Sequence, residues 1–297
     1  MYQVVFHRPL LLNFLNEKYY LYQERVIGTS SFRTISVFGH PIVCGLFFVI
    51  AFIINLYLLK GYKKYIFEII LVINIYSTRS RSSWLTLLLI IILLAVNKIK
   101  ESKLKFHKKL SLKRIIGFGL TFCTSVVVIR MFVVNYTIIL NIIMTRFGNS
   151  LSFTSTDISN LQRIGAIKII ISDLYHGGPI HLFFGNGIAS ASEFMKLNKV
   201  VLENFGNVDN MFITWIYEFG FVGFGFIISL IILLISNGIK NNSVITYKIC
   251  LYALLAILLE SFFFESISYW YPMTVTIGFI ISTLSFGYSK KAAFEQT

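Results

Sequence analysis

The chain has 297 residues, of which 56% are hydrophobic, 16% aromatic and only 13% charged, with a formal net charge of +14. A soluble domain of this length carries about 25% charged residues and has no need of so much apolar surface. The basic excess does not imply nucleic acid, because the lysines interrupt apolar runs and form no stripe on a soluble face; anionic inner-leaflet lipid is the ordinary partner for such charge.

A spanning helix needs roughly 20 apolar residues. In chain order the apolar runs predict seven spans: Ile42–Leu59, Tyr65–Ser77, Ser83–Val96, Ile115–Asn135, Asn210–Ser236, Lys248–Glu265 and Trp270–Tyr288. The expected class is an all-α polytopic membrane protein. The segment before them, residues 1–41, contains no signal peptide, and Phe6–Tyr22 is too polar to span. Four spans fill 42–135, a long loop fills 136–209, and three spans with a short tail fill 210–297. Cys44, Cys123 and Cys250 each fall inside a different span and read as small buried residues, not as a disulfide or metal set.

The loop charges orient the spans. Lys60, Lys63 and Lys64 lie in one loop, and Lys98, Lys100, Lys103, Lys105, Lys108, Lys109, Lys113 and Arg114 in another. Lys240, Lys248, Lys290 and Lys291 complete the same face. The positive-inside rule makes that face cytoplasmic, with the N-terminus outside and the C-terminus inside. Trp84, Trp215 and Trp270 then fall near outer helix ends. The chain is expected in a cell membrane, with several spans.

The 136–209 loop is therefore extracellular, and its length implies a function. Within it Ile158, Leu161, Ile164, Ile167, Ile171 and Leu174 recur at helical spacing, with Asp157 placed to cap the helix and Gln162, Arg163 and Asp173 on other faces. The spacing predicts an amphipathic helix on the outer membrane surface. Turns are expected at His176-Gly177-Gly178-Pro179 and at Gly185-Asn186-Gly187.

The outer face carries arginines that the charge rule disfavours: Arg79 and Arg81 in Thr78-Arg79-Ser80-Arg81-Ser82-Ser83-Trp84, and Arg163 in the loop. Guanidinium groups match phosphate oxygens bidentately, and serines opening the next helix add hydroxyls and backbone N–H groups that favour anions. Ordinary snorkelling to lipid phosphates is the competing account. Asp209-Asn210 opens the fifth span; Asp209 reads as an N-cap or as a general base. Glu218 lies within that span, where an acid is costly and faces protein or water. Gly220 and Gly223 beside it permit close helix approach. Glu260 and Glu265 flank the outer half of the sixth span, Arg130 lies in the outer half of the fourth, and His40 precedes the first. All four are candidates to line one cavity with Asn210. No P-loop, GxSxG, HExxH or metal-spaced cluster occurs, so neither a metal nor a cofactor is expected.

Taken in order, several segments resemble the O-antigen ligase and polysaccharide polymerase family of bacterial membrane glycosyltransferases. Gly28-Thr29-Ser30-Ser31-Phe32-Arg33 with Val37-Phe38-Gly39-His40-Pro41 is similar to its G-T-F-x-N/H-P entrance to a span. Ser80-Arg81 with Ser83-Trp84 is similar to T-G-S-R-G-A-W. Leu161-Gln162-Arg163-Ile164 followed by Phe184-Gly185-Asn186-Gly187 resembles R-x-x-x-W … G-x-G. Asp209-Asn210 through Gly220 and Gly223 resembles H-N-x-Y-L-x-x-x-x-E-x-G-x-x-G. The resemblance covers about residues 28 to 285. Two departures stand out. The family's helices before the first motif are absent, from which an N-terminally shortened chain is expected. The histidine of ligases is Asp209 here, which favours a polymerase.

The resemblance implies a GT-C-like helical bundle of about seven spans and no metal. It implies transfer of a glycan from undecaprenyl diphosphate onto a lipid-linked repeat unit at the outer face, making O-antigen, capsule or exopolysaccharide. In that reading Arg81 and Arg163, with Arg79 and Arg33, hold the pyrophosphate; Asp209 orients or deprotonates the acceptor hydroxyl; Glu218 orders the pocket wall. The bilayer, the lipid-linked oligosaccharide, and a flippase and chain-length regulator of the same pathway are the implied partners. The alternatives are a ligase moving the glycan to a final acceptor, a lipid-oligosaccharide transporter component, and an inactive remnant.

Overall fold

A computed structural model describes residues 2–7, 32–103, 158–201, 203, 205–265, 267 and 271–286. Among these the structure is all helical: α1 (Tyr2–Phe6), α2 (Pro41–Leu58), α3 (Gly61–Ser77), α4 (Arg81–Lys103), α5 (Ile158–His176), α6 (Gly178–Phe184), α7 (Ser190–Leu197), α8 (Met211–Lys240), α9 (Ile245–Ser261) and α10 (Tyr271–Ser285). Pro41–Leu58, Arg81–Lys98 and Met211–Lys240 are long and apolar enough to cross a membrane. The chain divides into two units, residues 1–90 with 162–297, and residues 91–161. Everything below concerns the first. The span expected at Ile115–Asn135, with Arg130 and Cys123, and the cap Asp157 lie outside the described residues.

Local chemistry explains the helix ends. Pro41 opens α2 at a position where its missing N–H costs nothing, and His40 Nδ1 accepts from Ile42 N–H at 3.3 Å as the N-cap. Thr78-Arg79-Ser80 turns α3 into α4, with Arg79 at φ 51°. Ser80 caps α4: its Oγ accepts from Ser83 N–H at 3.3 Å. The helices expected as the second and third spans, α3 and α4, therefore meet at this turn.

α9 is the buried element. It packs against α2, α8 and α10. Cys250, Leu251, Tyr252, Ala253, Leu254, Ala256 and Ile257 are all buried. By contrast α3 exposes Ile66, Phe67, Ile69, Val72 and Tyr76, and α8 exposes Phe226, Leu230, Ile232 and Leu233. Such continuous exposed apolar faces fit a lipid environment and not water.

The helix expected as the fifth span, α8, is not continuous. Gly220, at φ 64° and ψ −176°, breaks α8 between Met211–Phe219 and Phe221–Lys240. At 1.5 Å per residue the second part is about 30 Å long, a hydrocarbon thickness without the residues before the break. The break is filled from the 185–187 turn. Asn186 N–H donates to Tyr217 O at 2.9 Å and Gly187 N–H to Glu218 O at 3.0 Å. Those carbonyls would bond residues 221 and 222 in an unbroken helix. The two backbones touch: a Cβ on Gly220 would stand 2.3 Å from Phe183 O, and one on Gly185 2.4 Å from Glu218 O. Gly220 thus serves close approach, as expected, to the end of α6 and through a positive φ.

The amphipathic helix forms as α5, with a different buried face. Gln162, Ala166, Ile170 and Leu174 are buried, whereas Leu161 and Ile171 are exposed. This row packs on Ala191, Met195, Val208 and Tyr217. Ala166 allows the close approach, and Gln162 is tolerated because its Oε1 accepts from Val201 N–H at 2.9 Å. Tyr217 Oη donates to Asp173 Oδ2 at 2.6 Å and ties α8 to α5.

Candidate functional site

The polar residues gather where α2, α4 and α8 begin and α3 and α9 finish. Several bonds knit these ends together. Arg33 Nε donates to Thr78 O at 3.0 Å, and Thr34 Oγ1 and Ser77 Oγ share a hydrogen bond of 2.8 Å. Asn210 Nδ2 donates to Phe262 O at 3.1 Å, and the His40 ring stacks on Phe264 with centroids 4.5 Å apart.

Three carboxylates meet this end, and each is held differently. Glu260 is fully buried at the end of α9. Its Oε1 accepts from Ser82 Oγ at 2.6 Å and Ser83 Oγ at 3.1 Å, and its Oε2 from Thr86 Oγ1 at 2.9 Å. The serine hydroxyls that the sequence offers to an anion at the start of α4 are taken up by the protein's own Glu260 carboxyl group. The helix N-terminus adds its positive dipole end. Glu265 is also buried; its Oε1 accepts from Thr214 Oγ1 at 2.6 Å and Val208 N–H at 2.9 Å.

Asp209 differs from both. It stands at φ 57° and makes one side-chain bond, Oδ2 accepting from Arg163 Nε at 3.2 Å. Their side chains are 13% and 29% exposed, so the pair meets solvent. Asp209 is not the cap of α8. That role belongs to Asn210, whose Oδ1 accepts from Phe212 and Ile213 N–H, both at 3.1 Å. A capping residue needs extended backbone, which Asn210 has and Asp209 lacks. Burial pushes the Asp209 carboxyl above its ordinary range, against the downward pull of Arg163.

His40 completes the group. Its Nδ1 accepts the Ile42 N–H, so in the neutral ring the proton sits on Nε2. Burial first, then the charges of Arg33 and Arg163, push it down to about 3. It is a neutral N–H donor at physiological pH. Arg163 thus acts on both His40 and Asp209, and its charge also reaches Glu260.

Of the residues singled out in the sequence, Arg33, His40, Arg163, Asp209, Asn210, Glu260 and Glu265 come together here. Arg79 lies in the α3–α4 turn and Arg81 opens α4, directly before the serines that hold Glu260. Glu218 accepts from backbone N–H groups of Ala189 and Ala191 at the start of α7, and its charge also reaches Glu265. It orders the chain that follows the 185–187 turn. Among the described residues no group of three or more His, Cys, Asp and Glu could hold a metal ion.

Two participants escaped the sequence reading, Thr86 and Thr214. Each is a hydroxyl four residues into an apolar helix from a polar opening residue, Ser82 and Asn210. That spacing puts each pair on one face and was the available signal. Chemically the site offers guanidinium and imidazole N–H donors to an anion beside a carboxylate that can take a proton. Comparison of the chain with protein-family models, curated proteins and solved structures finds no match.

Proposed function

We propose that the chain is a membrane polysaccharide polymerase, acting at the outer face on undecaprenyl-diphosphate-linked repeat units, within a bundle of about seven spans whose N-terminus is outside. The observation that carries this reading is the meeting of Arg163 and Asp209, 46 positions apart, beside Arg33 and His40. It joins an anion-binding group to a carboxylate at a helix start, as the resemblance implies.

The reaction follows from those groups. The acceptor hydroxyl oxygen bonds the anomeric carbon, and the bond from that carbon to the pyrophosphate oxygen breaks. The hydroxyl proton passes to Asp209, and undecaprenyl diphosphate leaves with its charge matched by Arg163 and Arg33. A single displacement with one base inverts the anomeric carbon.

The interrupted helix favours a transporter at first sight, since transporters line ion sites with freed carbonyls at such breaks. Here the freed carbonyls of Tyr217 and Glu218 are taken by the 185–187 turn. They are not offered to a ligand, which supports the enzyme reading.

The test is chemical. In a cell that depends on this gene for its surface polymer, Arg163→Ala should abolish long chains at unchanged protein level and leave single repeats on the carrier. Arg163→Lys should recover little, because an ammonium is no fork. Long chains that remain unattached to their final acceptor would indicate a ligase. Normal polymer in the Arg163→Ala strain would remove the proposal.

A further inference from the structure

Resting on that reading, we infer that Arg163 and Asp209 form a ligand-operated latch: the guanidinium holds the carboxylate until a phosphate-bearing ligand takes the guanidinium and releases Asp209 to act as base. The two residues otherwise have roles that compete. An arginine committed to a carboxylate is a poor pyrophosphate ligand, and a carboxylate committed to an arginine is a poor base.

The geometry suits exchange. The contact is a single bond from Nε, at 3.2 Å, and not the two parallel bonds of a fork. Arg163 is 29% and Asp209 13% exposed, so the pair is partly open to water and a ligand can reach it from that side. A pyrophosphate presents more charge and more acceptor oxygens than one carboxylate, and the charges of Arg33 and Arg163 both act on His40.

The backbone on either side of the pair is fixed, so only side chains need to turn. Val208 N–H is held by Glu265, and Asn210 caps α8. Gln162, next to Arg163, is buried and bonded to Val201. Release is a rotamer change and not a movement of chain.

Around the pair, the charge of Arg163 reaches His40 and Glu260, and Asp209 and Glu218 both act on Glu265. For Asp209, loss of its cation and arrival of an anion both raise its affinity for a proton. The carboxylate becomes a stronger base only when a donor is in place. Binding is therefore ordered, donor phosphate first and acceptor hydroxyl second.

Inorganic pyrophosphate is the probe, titrated calorimetrically into the purified full chain in detergent, without divalent metal. The latch requires Asp209→Asn to bind it about 5- to 10-fold tighter than the unaltered chain, which is about 1 kcal/mol of binding free energy. Asp209→Ala should behave alike, which separates lost competition from any property of the amide. Arg163→Ala should lose binding in either background. If Asp209→Asn and Asp209→Ala bind equally or more weakly than the parent, Asp209 positions the arginine and the latch is wrong, while the anion site stands. If no form binds and Arg163→Ala changes nothing, the anion site falls with it.

Discussion

Glu260 and Asp209 are both acids at the ends of apolar helices, and the protein treats them in opposite ways. Glu260 is fully buried with three hydroxyl donors and a helix N-terminus directed at it. Asp209 has one donor, a charged one, and a path to water. A carboxylate surrounded by neutral donors on fixed helices cannot exchange partners without breaking several bonds at once. One tied by a single exposed ion pair exchanges readily. Charge and burial alone would rank Glu260 as the reactive group; the number and rigidity of its partners make it the strut between α4 and α9.

The largest effect should come from removing that strut. Glu260→Ala leaves Ser82, Ser83 and Thr86 facing a void and should cost about 3 kcal/mol, seen as a lowered unfolding temperature in detergent. Glu260→Gln keeps an acceptor for the serines and should cost less, about 1–2 kcal/mol. Equal stability of Glu260→Ala and the parent chain would erase the contrast with Asp209.

Next in size is the break in α8. Gly220→Ala sets a methyl 2.3 Å from the Phe183 carbonyl at a positive φ. It should cost about 2 kcal/mol or more. It should also detach the 185–187 turn, so proteolysis near Gly185–Gly187 would speed up. An unchanged cleavage rate would show that the turn does not depend on the break.

These two regions also show what sequence could reveal. The helices were legible because apolar runs of spanning length leave little choice. The starts at Pro41 and Arg81 fall one and two residues before the predicted Ile42 and Ser83. The break at Gly220 was hidden, because Phe219-Gly220-Phe221 reads as an uninterrupted run and one glycine is compatible with a helix. The buried row of α5 was not legible because Gln162 and Ala166 do not count as apolar in a periodicity. The Glu260 cluster joins residues some 175 positions apart, and no local pattern records such a pairing. What the sequence did supply was the anomaly itself: acids and arginines where a membrane disfavours them.

A smaller effect concerns His40. Its imidazole is held down to about 3, against an ordinary value near 6.5. The unfolded chain therefore binds the proton between those values and the folded chain does not. Its contribution is full above about pH 6.5 and is lost as pH falls toward 3. His40→Asn keeps a capping oxygen for Ile42 and cannot titrate. Between pH 6.5 and 4.5 the variant should lose less unfolding temperature than the parent. Parallel losses would mean that the ring is not held neutral.

Asp209→Asn should have the smallest effect on stability, although it abolishes the proposed chemistry. The folded site pushes this carboxyl upward, so folding disfavours its charged form relative to the unfolded chain. Its favourable contribution is present below the ordinary value near 3.8 and is lost as pH rises through the folded value. At neutral pH the neutral amide therefore gives up little. Asparagine also accepts φ 57° more readily than most residues, and Asn210 goes on capping α8. Against this stands one partly exposed bond to Arg163. The net change should lie within about 1 kcal/mol, of either sign. Relative to the parent, Asp209→Asn should gain unfolding temperature between pH 4 and pH 7.5. A loss comparable to that of Glu260→Ala would make Asp209 a second strut, and the division between the held acid and the exchangeable one would fail.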